Sequence, residues 1–132
     1  MKKLFSIVII VSVLILPLMG QDNNEEWRAT WVITWEHISS SSSVEQNKAR
    51  IRTIMDDHVA ANMNAVLWQA RQAGTAYYNS AYEPWGYYAG GSYPGYDPLE
   101  YAIEQAHLRG LELHAWFNAF AAASTVSGAP AG

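Results

Sequence analysis

The spacing of apolar residues is the feature that most constrains the fold of this chain, because it alternates between the period of strands and the period of helices. Residues 27–34, 64–71 and 111–118 are rich in β-branched, aromatic and aliphatic side chains and predict three strands. Residues 44–61 and 98–109 repeat apolar side chains at helical spacing and predict two intervening helices. This β-α-β-α-β order is typical of a parallel sheet with right-handed crossovers.

Both predicted helices carry start signals. Ser42 with Glu45, or Ser43 with Gln46, offers a capping box before the first helix. Asp97 is the predicted N-cap of the second helix, and the proline that follows it suits the first helical position.

The second and third predicted strands have two different faces. Gln69 and Arg71 share one face of the second strand, opposite Val66 and Trp68. The third strand divides in the same way, with Leu111, Leu113, Ala115 and Phe117 against Glu112, His114, Trp116 and Asn118. A strand covered by helices on both sides would be apolar on both faces. Polar side chains that gather toward the strand ends are instead typical of a barrel wall.

The turn after the first strand, residues 34–37, contains no glycine and so lacks the phosphate-binding turn of a nucleotide-binding sheet. We therefore predict the N-terminal β-α-β-α-β portion of a (β/α)₈ TIM barrel, truncated after the third strand. Such a barrel has about 250 residues, so we expect the remainder to lie beyond Gly132. A small open α/β domain is the alternative. As part of a barrel, the fragment alone is expected to be unstable and inactive.

The first 20 residues resemble a secretory signal peptide. A basic start is followed by a nearly continuous apolar run of 16 residues, Leu4 to Met19, and then by Gly20. The run is short for a membrane span, although an uncleaved anchor is an alternative. We predict a signal peptide over 1–20, a short polar linker over 21–26 and a partial barrel domain over 27–132. The mature protein would be periplasmic or secreted, with no membrane contact after cleavage.

Composition excludes several kinds of site. The chain has no cysteine, so it can form no disulfide and no thiolate-ligated metal site. Beyond Gly20 it has 12 acidic residues against six Lys and Arg, which argues against a nucleic-acid partner. The histidines at 37, 58 and 107 show no metal-ligand pattern, and we expect no essential metal and no cofactor.

Four segments together resemble the glycosyl-hydrolase-like 10 family. Residues 27–32 are similar to its first strand, with Ala29 where the family usually has glycine. Residues 63–71 are similar to its second strand, 82–85 to a loop motif, and 95–118 to a long helix-and-strand motif. The resemblance implies a barrel-type glycoside hydrolase that is exported from a bacterium. It implies a polysaccharide substrate, with cell-wall glycan a reasonable first candidate.

One departure from the family concerns an arginine. The family commonly has Pro-Tyr-Arg after the asparagine of the third strand, whereas this chain has Ala119-Phe120-Ala121. An arginine that could contact substrate is therefore missing.

The acidic residues offer no convincing catalytic pair of the kind that glycoside hydrolysis needs. Glu112 lies at the start of its strand and is expected to be a buried ion-pair partner. Glu36 is expected to be a solvated loop carboxylate, Glu83 to hold its loop, and Asp97 and Glu100 to cap a helix. The resemblance implies catalytic carboxylates on later strands, beyond Gly132.

Substrate binding is the role that the sequence does predict. The expected side chains are Gln69, Arg71, His114, Trp116 and Asn118, which would converge at the barrel mouth. Their polar groups suit sugar hydroxyls, and the indole could stack on a sugar ring. For Arg71 and His114 the alternative is an internal hydrogen-bonding role.

An aromatic loop over residues 72–96 adds further candidates. Tyr77 and Trp85 within it, together with Trp35 after the first strand, are the predicted sugar-stacking residues. Most of the loop's rings are expected only to pack the loop onto the domain. Two other functions stay open: a carbohydrate-binding barrel module without catalysis, and a small interaction domain complete in itself.

Overall fold

A computed structural model describes residues 26–120 of the chain. The predicted signal peptide, nearly all of the linker and the segment after Phe120 lie outside the described residues. Within residues 26–120, no helix is long and apolar enough to cross a bilayer.

The described residues form a mixed α/β structure in which the three predicted strands and the two predicted helices are all present. In chain order the elements are β1 (Ala29–Val32), α1 (Thr34–His37), α2 (Val44–Ala60), β2 (Ala65–Gln72), β3 (Thr75–Ala76), a 3₁₀ turn (Tyr87–Ala89), α3 (Pro98–His107) and β4 (Glu112–Phe117). The short helix α1 and the two-residue strand β3 were not predicted.

Strand β2 lies at the centre of the sheet. It pairs in parallel with β1 on one side and with β4 on the other, so that Leu67 lies opposite both Trp31 and His114. Strand β3 folds back on the end of β2 as an antiparallel hairpin. Its two-residue turn has positive φ at both positions, 50° at Ala73 and 71° at Gly74, which favours tight hairpin turns.

Both long helices pack on the same face of the sheet. Val66 and Trp68 of β2 are fully buried there. The helices contribute Ile51 and Met55 from α2, and Ala102 and Ala106 from α3. Burying a side chain of this kind stabilises the fold by roughly 1.5–3 kcal/mol for each large aliphatic residue. The apolar face predicted for the strands is thus the helix-covered face.

The opposite face of the sheet carries neither of the two long helices. Trp27 is 52% exposed and Trp31 is 63% exposed on this side, which we call the open face. The open face comprises Trp27, Trp31, Leu67, Glu112, His114 and Trp116.

The helix caps follow the sequence signals. Ser43 accepts a hydrogen bond from the backbone N–H of Gln46, whose side chain accepts one from Ser43 N–H, so the second of the two alternative capping boxes forms. Asp97 Oδ1 accepts from Leu99 N–H and Glu100 N–H at 3.0 Å each, as expected of the predicted N-cap.

The aromatic loop has a small core of its own. Ile38, Tyr77 and Ala89 are buried together, with Trp85 packed against them. Gly86 lies so close to the Tyr77 ring that an added Cβ would stand 2.2 Å from a ring carbon. Of the loop's rings, Tyr77, Trp85 and Tyr88 pack in this cluster, whereas Tyr82, Tyr87 and Tyr93 are mostly exposed.

Candidate functional site

The carboxyl ends of the parallel strands β1, β2 and β4 meet at one edge of the sheet, which we call the carboxyl edge. Arg71 is central to it. Its Nε donates to Glu83 Oε1 at 2.7 Å, and its Nη1 donates to the backbone carbonyl of Asn118. Both side chains of the ion pair are mostly buried, at 17% and 22% exposure. Arg71 therefore joins the aromatic loop to the end of β4.

Gln69 lies opposite Trp116 in the sheet register, on the predicted face of β2, but it is buried there. It is 1% exposed, and its Oε1 accepts from the backbone N–H of Thr34 at 3.1 Å. Thr34 also donates from its hydroxyl to Gln72 Oε1 at 2.6 Å. Gln69 therefore holds α1 through its amide oxygen. With 1% exposure it presents almost no surface to a substrate, contrary to the expectation from the sequence.

His37 completes the attachment of α1 and was not singled out from the sequence as a site residue. Its ring stacks on Trp68 at 4.3 Å between centroids, and its Nε2 lies 3.2 Å from the carbonyl oxygen of Gln69. Because that oxygen can only accept, Nε2 carries the proton. Burial lowers the pKa of His37 from 6.5 to about 3, so the ring is neutral at physiological pH.

Helix α1 presents two side chains at the carboxyl edge. Trp35 is 45% exposed and lies 5.9 Å from the ring of Tyr88. Glu36 is exposed beside it. An exposed indole on a helix held by buried hydrogen bonds is a suitable stacking surface.

The open face carries an aromatic pair across the sheet. Trp31 and Trp116 meet edge to face, with ring centroids 4.8 Å apart. Trp31 was not among the predicted site residues. Trp31 follows Trp27 and Ala29 at steps of two residues, and this alternation could have placed all three on the same face.

Next to this pair, His114 lies between a ring and a carboxylate. It contacts Trp27 edge to face at 5.4 Å, and its Nε2 is 2.9 Å from Glu112 Oε2. Glu112 is therefore bonded to His114, but its side chain is 68% exposed rather than buried as expected, because nothing in residues 26–120 covers the open face.

The aromatic loop supplies one partly buried candidate and one fully buried ring. Trp85 is partly buried and contacts Tyr93 edge to face at 5.7 Å. Tyr77 is only 1% exposed, and its hydroxyl accepts from Tyr88 N–H at 3.4 Å. The expectation that Tyr77 stacks on a sugar is therefore corrected, since both of its ring faces are enclosed by the loop core.

The structure thus brings together part of the predicted set. Arg71 and Asn118 are joined at the carboxyl edge, where Trp35 is also exposed. Trp116 and His114 lie on the open face. Across the described stretch, no three His, Asp or Glu side chains are grouped closely enough to hold a metal ion. The arrangement can bind through rings, amide groups and a guanidinium.

Comparisons with known proteins agree with the family that the sequence resembles. The sequence profile described as glycosyl hydrolase-like 10 matches residues 26–130. The chain is 38% identical over 127 residues to a protein of Bacillus subtilis (strain 168) named glycosyl hydrolase YngK, covering 90% of the chain and 25% of that protein. It is 31% identical over 118 residues to glycosyl hydrolase DigH of Escherichia coli (strain K12), covering 79% of the chain and 27% of that protein.

The chain spans about a quarter of the length of these relatives. The matched part nevertheless includes every element described above. The chain belongs to the glycosyl hydrolase-like 10 family.

Proposed function

We propose that the described residues are the first three strands of a (β/α)₈ barrel in an exported glycoside hydrolase. Consecutive parallel strands are neighbours in the sheet, and both long helices lie on one face. This is the arrangement of a barrel wall with helices outside. The open face would then be the inner wall, and the exposed rings of Trp27 and Trp31 would be covered by the remaining strands.

The family's glycosyl-hydrolase description supports an enzyme that cleaves O-glycosyl bonds. The substrate we propose is a bacterial polysaccharide, and cell-wall glycan is the first to test, since an exported enzyme meets it directly. The signal-like residues 1–20 support export to the periplasm or beyond.

Within such an enzyme the carboxyl edge would bind substrate rather than perform the chemistry. The single observation that carries this assignment is that Arg71, Asn118 and the exposed Trp35 all lie at the carboxyl ends of the strands, where barrel active sites lie. Trp116, His114 and Trp85 would extend the binding surface. The acid and the nucleophile or base would come from later strands.

A non-catalytic carbohydrate-binding barrel is the second candidate. Two carboxylates favour this candidate, because each already has a partner within the described residues. Glu83 is bonded to Arg71, and Glu112 is bonded to His114.

The test uses the full-length protein and polymeric cell-wall glycan freed of peptide. Reducing ends released per minute measure hydrolysis, and sedimentation with the polymer measures binding. We expect Trp35→Ala to raise KM about tenfold with a smaller change in kcat, since loss of a stacking ring costs roughly 1 kcal/mol or more. Tyr82→Ala is the control, because this ring is 96% exposed and makes no stacking contact among the described residues.

Three outcomes separate the candidates. Hydrolysis that weakens in Trp35→Ala but not in Tyr82→Ala supports the enzyme. Binding without hydrolysis by the wild-type protein supports the module. A wild-type protein that neither binds nor cleaves the polymer refutes both.

A further inference from the structure

A second cleft lies on the helix-covered side of the sheet, away from the open face. It has a volume of about 360 Å³ and is formed between the segment that precedes α3 and the facing sides of α2 and α3. Its lining side chains are Lys48, Tyr93, Tyr96, Glu100, Tyr101 and Glu104, with Asp97 at one end. None of these residues belongs to the proposed substrate-binding edge.

Three tyrosine rings contribute to the lining of this cleft. Tyr96 and Tyr101 meet edge to face, with centroids 6.2 Å apart and an interplanar angle of 87°. The ammonium of Lys48 lies over both rings, 5.4 Å and 5.0 Å from their centroids. Tyr93 adds a third ring that is 60% exposed. The cleft therefore combines apolar ring surface with a hydrogen-bond donor.

Hydrogen-bond acceptors complete the lining. Glu100 and Glu104 are both exposed and stand one helical turn apart on α3. Within residues 26–120, no carboxylate lies close enough to Lys48 to form an ion pair. Asp97 differs from the glutamates, because its two oxygens already accept from three backbone N–H groups. The lysine and the two glutamates remain able to bond a ligand.

The walls of the cleft are held in place before any ligand arrives. Arg52 Nη1 donates to the Tyr101 hydroxyl at 2.8 Å. Gly95 has φ of 88°, and a Cβ there would stand 2.9 Å from Val44 Cγ2, so the segment before α3 lies tight against α2. A preformed site avoids much of the ordering cost of binding.

We propose that this cleft is a secondary glycan-binding site that holds a polysaccharide chain while another part of it occupies the carboxyl edge. The C–H face of a sugar ring packs on the exposed ring of Tyr93, and its hydroxyls bond Glu100, Glu104 and Lys48. A simple cation fits less well, because the ammonium of Lys48 already covers the two inner rings. The choice of a glycan as ligand rests on the proposed function.

The experiment measures retention of the full-length protein on two insoluble polymers, peptide-free cell-wall glycan and chitin. We expect Lys48→Met and Tyr93→Ala each to lower the affinity for at least one polymer about fivefold, the effect of losing one ring contact or one charged hydrogen bond. Tyr82→Ala, in the same loop but outside the cleft, is the matched control and should be retained like the wild-type protein.

A second measurement separates this inference from the proposed hydrolase. A monosaccharide glycoside can occupy only one of the two sites at a time, so Lys48→Met should leave kcat/KM on it unchanged. If the wild-type protein cleaves nothing but its retention depends on Lys48 and Tyr93, the hydrolase fails and the cleft stands. If cleavage is intact and both variants are retained like wild type, or if the wild-type protein binds neither polymer, the cleft proposal is overturned.

Discussion

At the residue scale, His37 shows how burial decides what a side chain can do. The ring is fully enclosed between Trp68 and the loop core, and its Nε2 proton is bound by the carbonyl of Gln69. The other nitrogen, Nδ1, has no hydrogen-bond partner among the described residues. A neutral ring with one bonded nitrogen fixes the position of α1, and with it the exposed Trp35, without adding charge to the interior.

The stability of the fold should depend on pH through this group. The folded-state pKa of about 3 lies below the usual 6.5, so the unfolded chain binds more protons between these values. The contribution of neutral His37 is therefore complete above pH 6.5 and is lost as the pH falls toward 3. The expected loss of unfolding free energy is on the order of 1.4 kcal/mol per pH unit in that window.

Urea unfolding of the full-length protein at pH 7 and at pH 5 checks this. His37→Gln should be less stable than wild type at pH 7 but should lose less stability on acidification. His107→Gln, an exposed histidine on α3, serves as control and should keep the wild-type pH dependence. An equally steep pH dependence in His37→Gln would show that another group is responsible.

At the scale of elements, the two long helices and the short helix α1 form for different reasons. Helix α2 has a capping box and a buried apolar stripe within its own sequence. Helix α1 has neither, and no side chain caps its first turn in the usual way. Its first N–H is bonded by Gln69, which is 35 residues further along the chain. Helix α1 therefore exists only when β2 is in place.

The capping box of α2 gives a prediction at this scale. Ser43→Ala removes the acceptor for Gln46 N–H and should lower the free energy of unfolding by about 1 kcal/mol. Ser42→Ala changes the neighbouring serine, which forms no capping bond, and should be nearly neutral. Thermal unfolding of the full-length protein and the two variants compares them. A larger loss in Ser42→Ala than in Ser43→Ala would contradict the cap assignment.

At the scale of the whole molecule, the sheet has one covered face and one uncovered face. The helix-covered side contains the main apolar core, whereas the open face leaves Trp27 and Trp31 more than half exposed. Strand β4 pairs only with β2 among the described residues, so its other edge is free to pair. An exposed aromatic face and an unpaired strand edge both favour association with other chain segments.

Residues 26–120 produced alone should therefore fold poorly. We expect broad, weakly cooperative thermal unfolding, strong binding of an apolar dye and aggregation at micromolar concentration, in contrast to the full-length protein. Circular dichroism and light scattering measure these properties. A monomeric segment with a sharp transition would support the alternative of a small domain complete in itself, and would remove the main reason for a barrel.

The sequence alone determined the features that depend on neighbouring residues. Alternation at period 2 assigned Val66 and Trp68 to one face of β2 and Arg71 to the other. Helical spacing together with local caps located α2 and α3 to within one or two residues. The long motif over 95–118 was specific enough to identify the family. These features were predictable because each is encoded within one element.

Only the tertiary structure decided which polar and aromatic side chains remain accessible. The alternation of the strand assigns Gln69 to one face of β2, but it cannot show that the backbone N–H of Thr34 will donate to the Gln69 amide oxygen. The abundance of rings in the loop suggested Tyr77 for stacking, whereas packing against Ile38 and Gly86 buried it. Accessibility depends on contacts between residues distant in the chain, and those contacts exist only once the chain has folded.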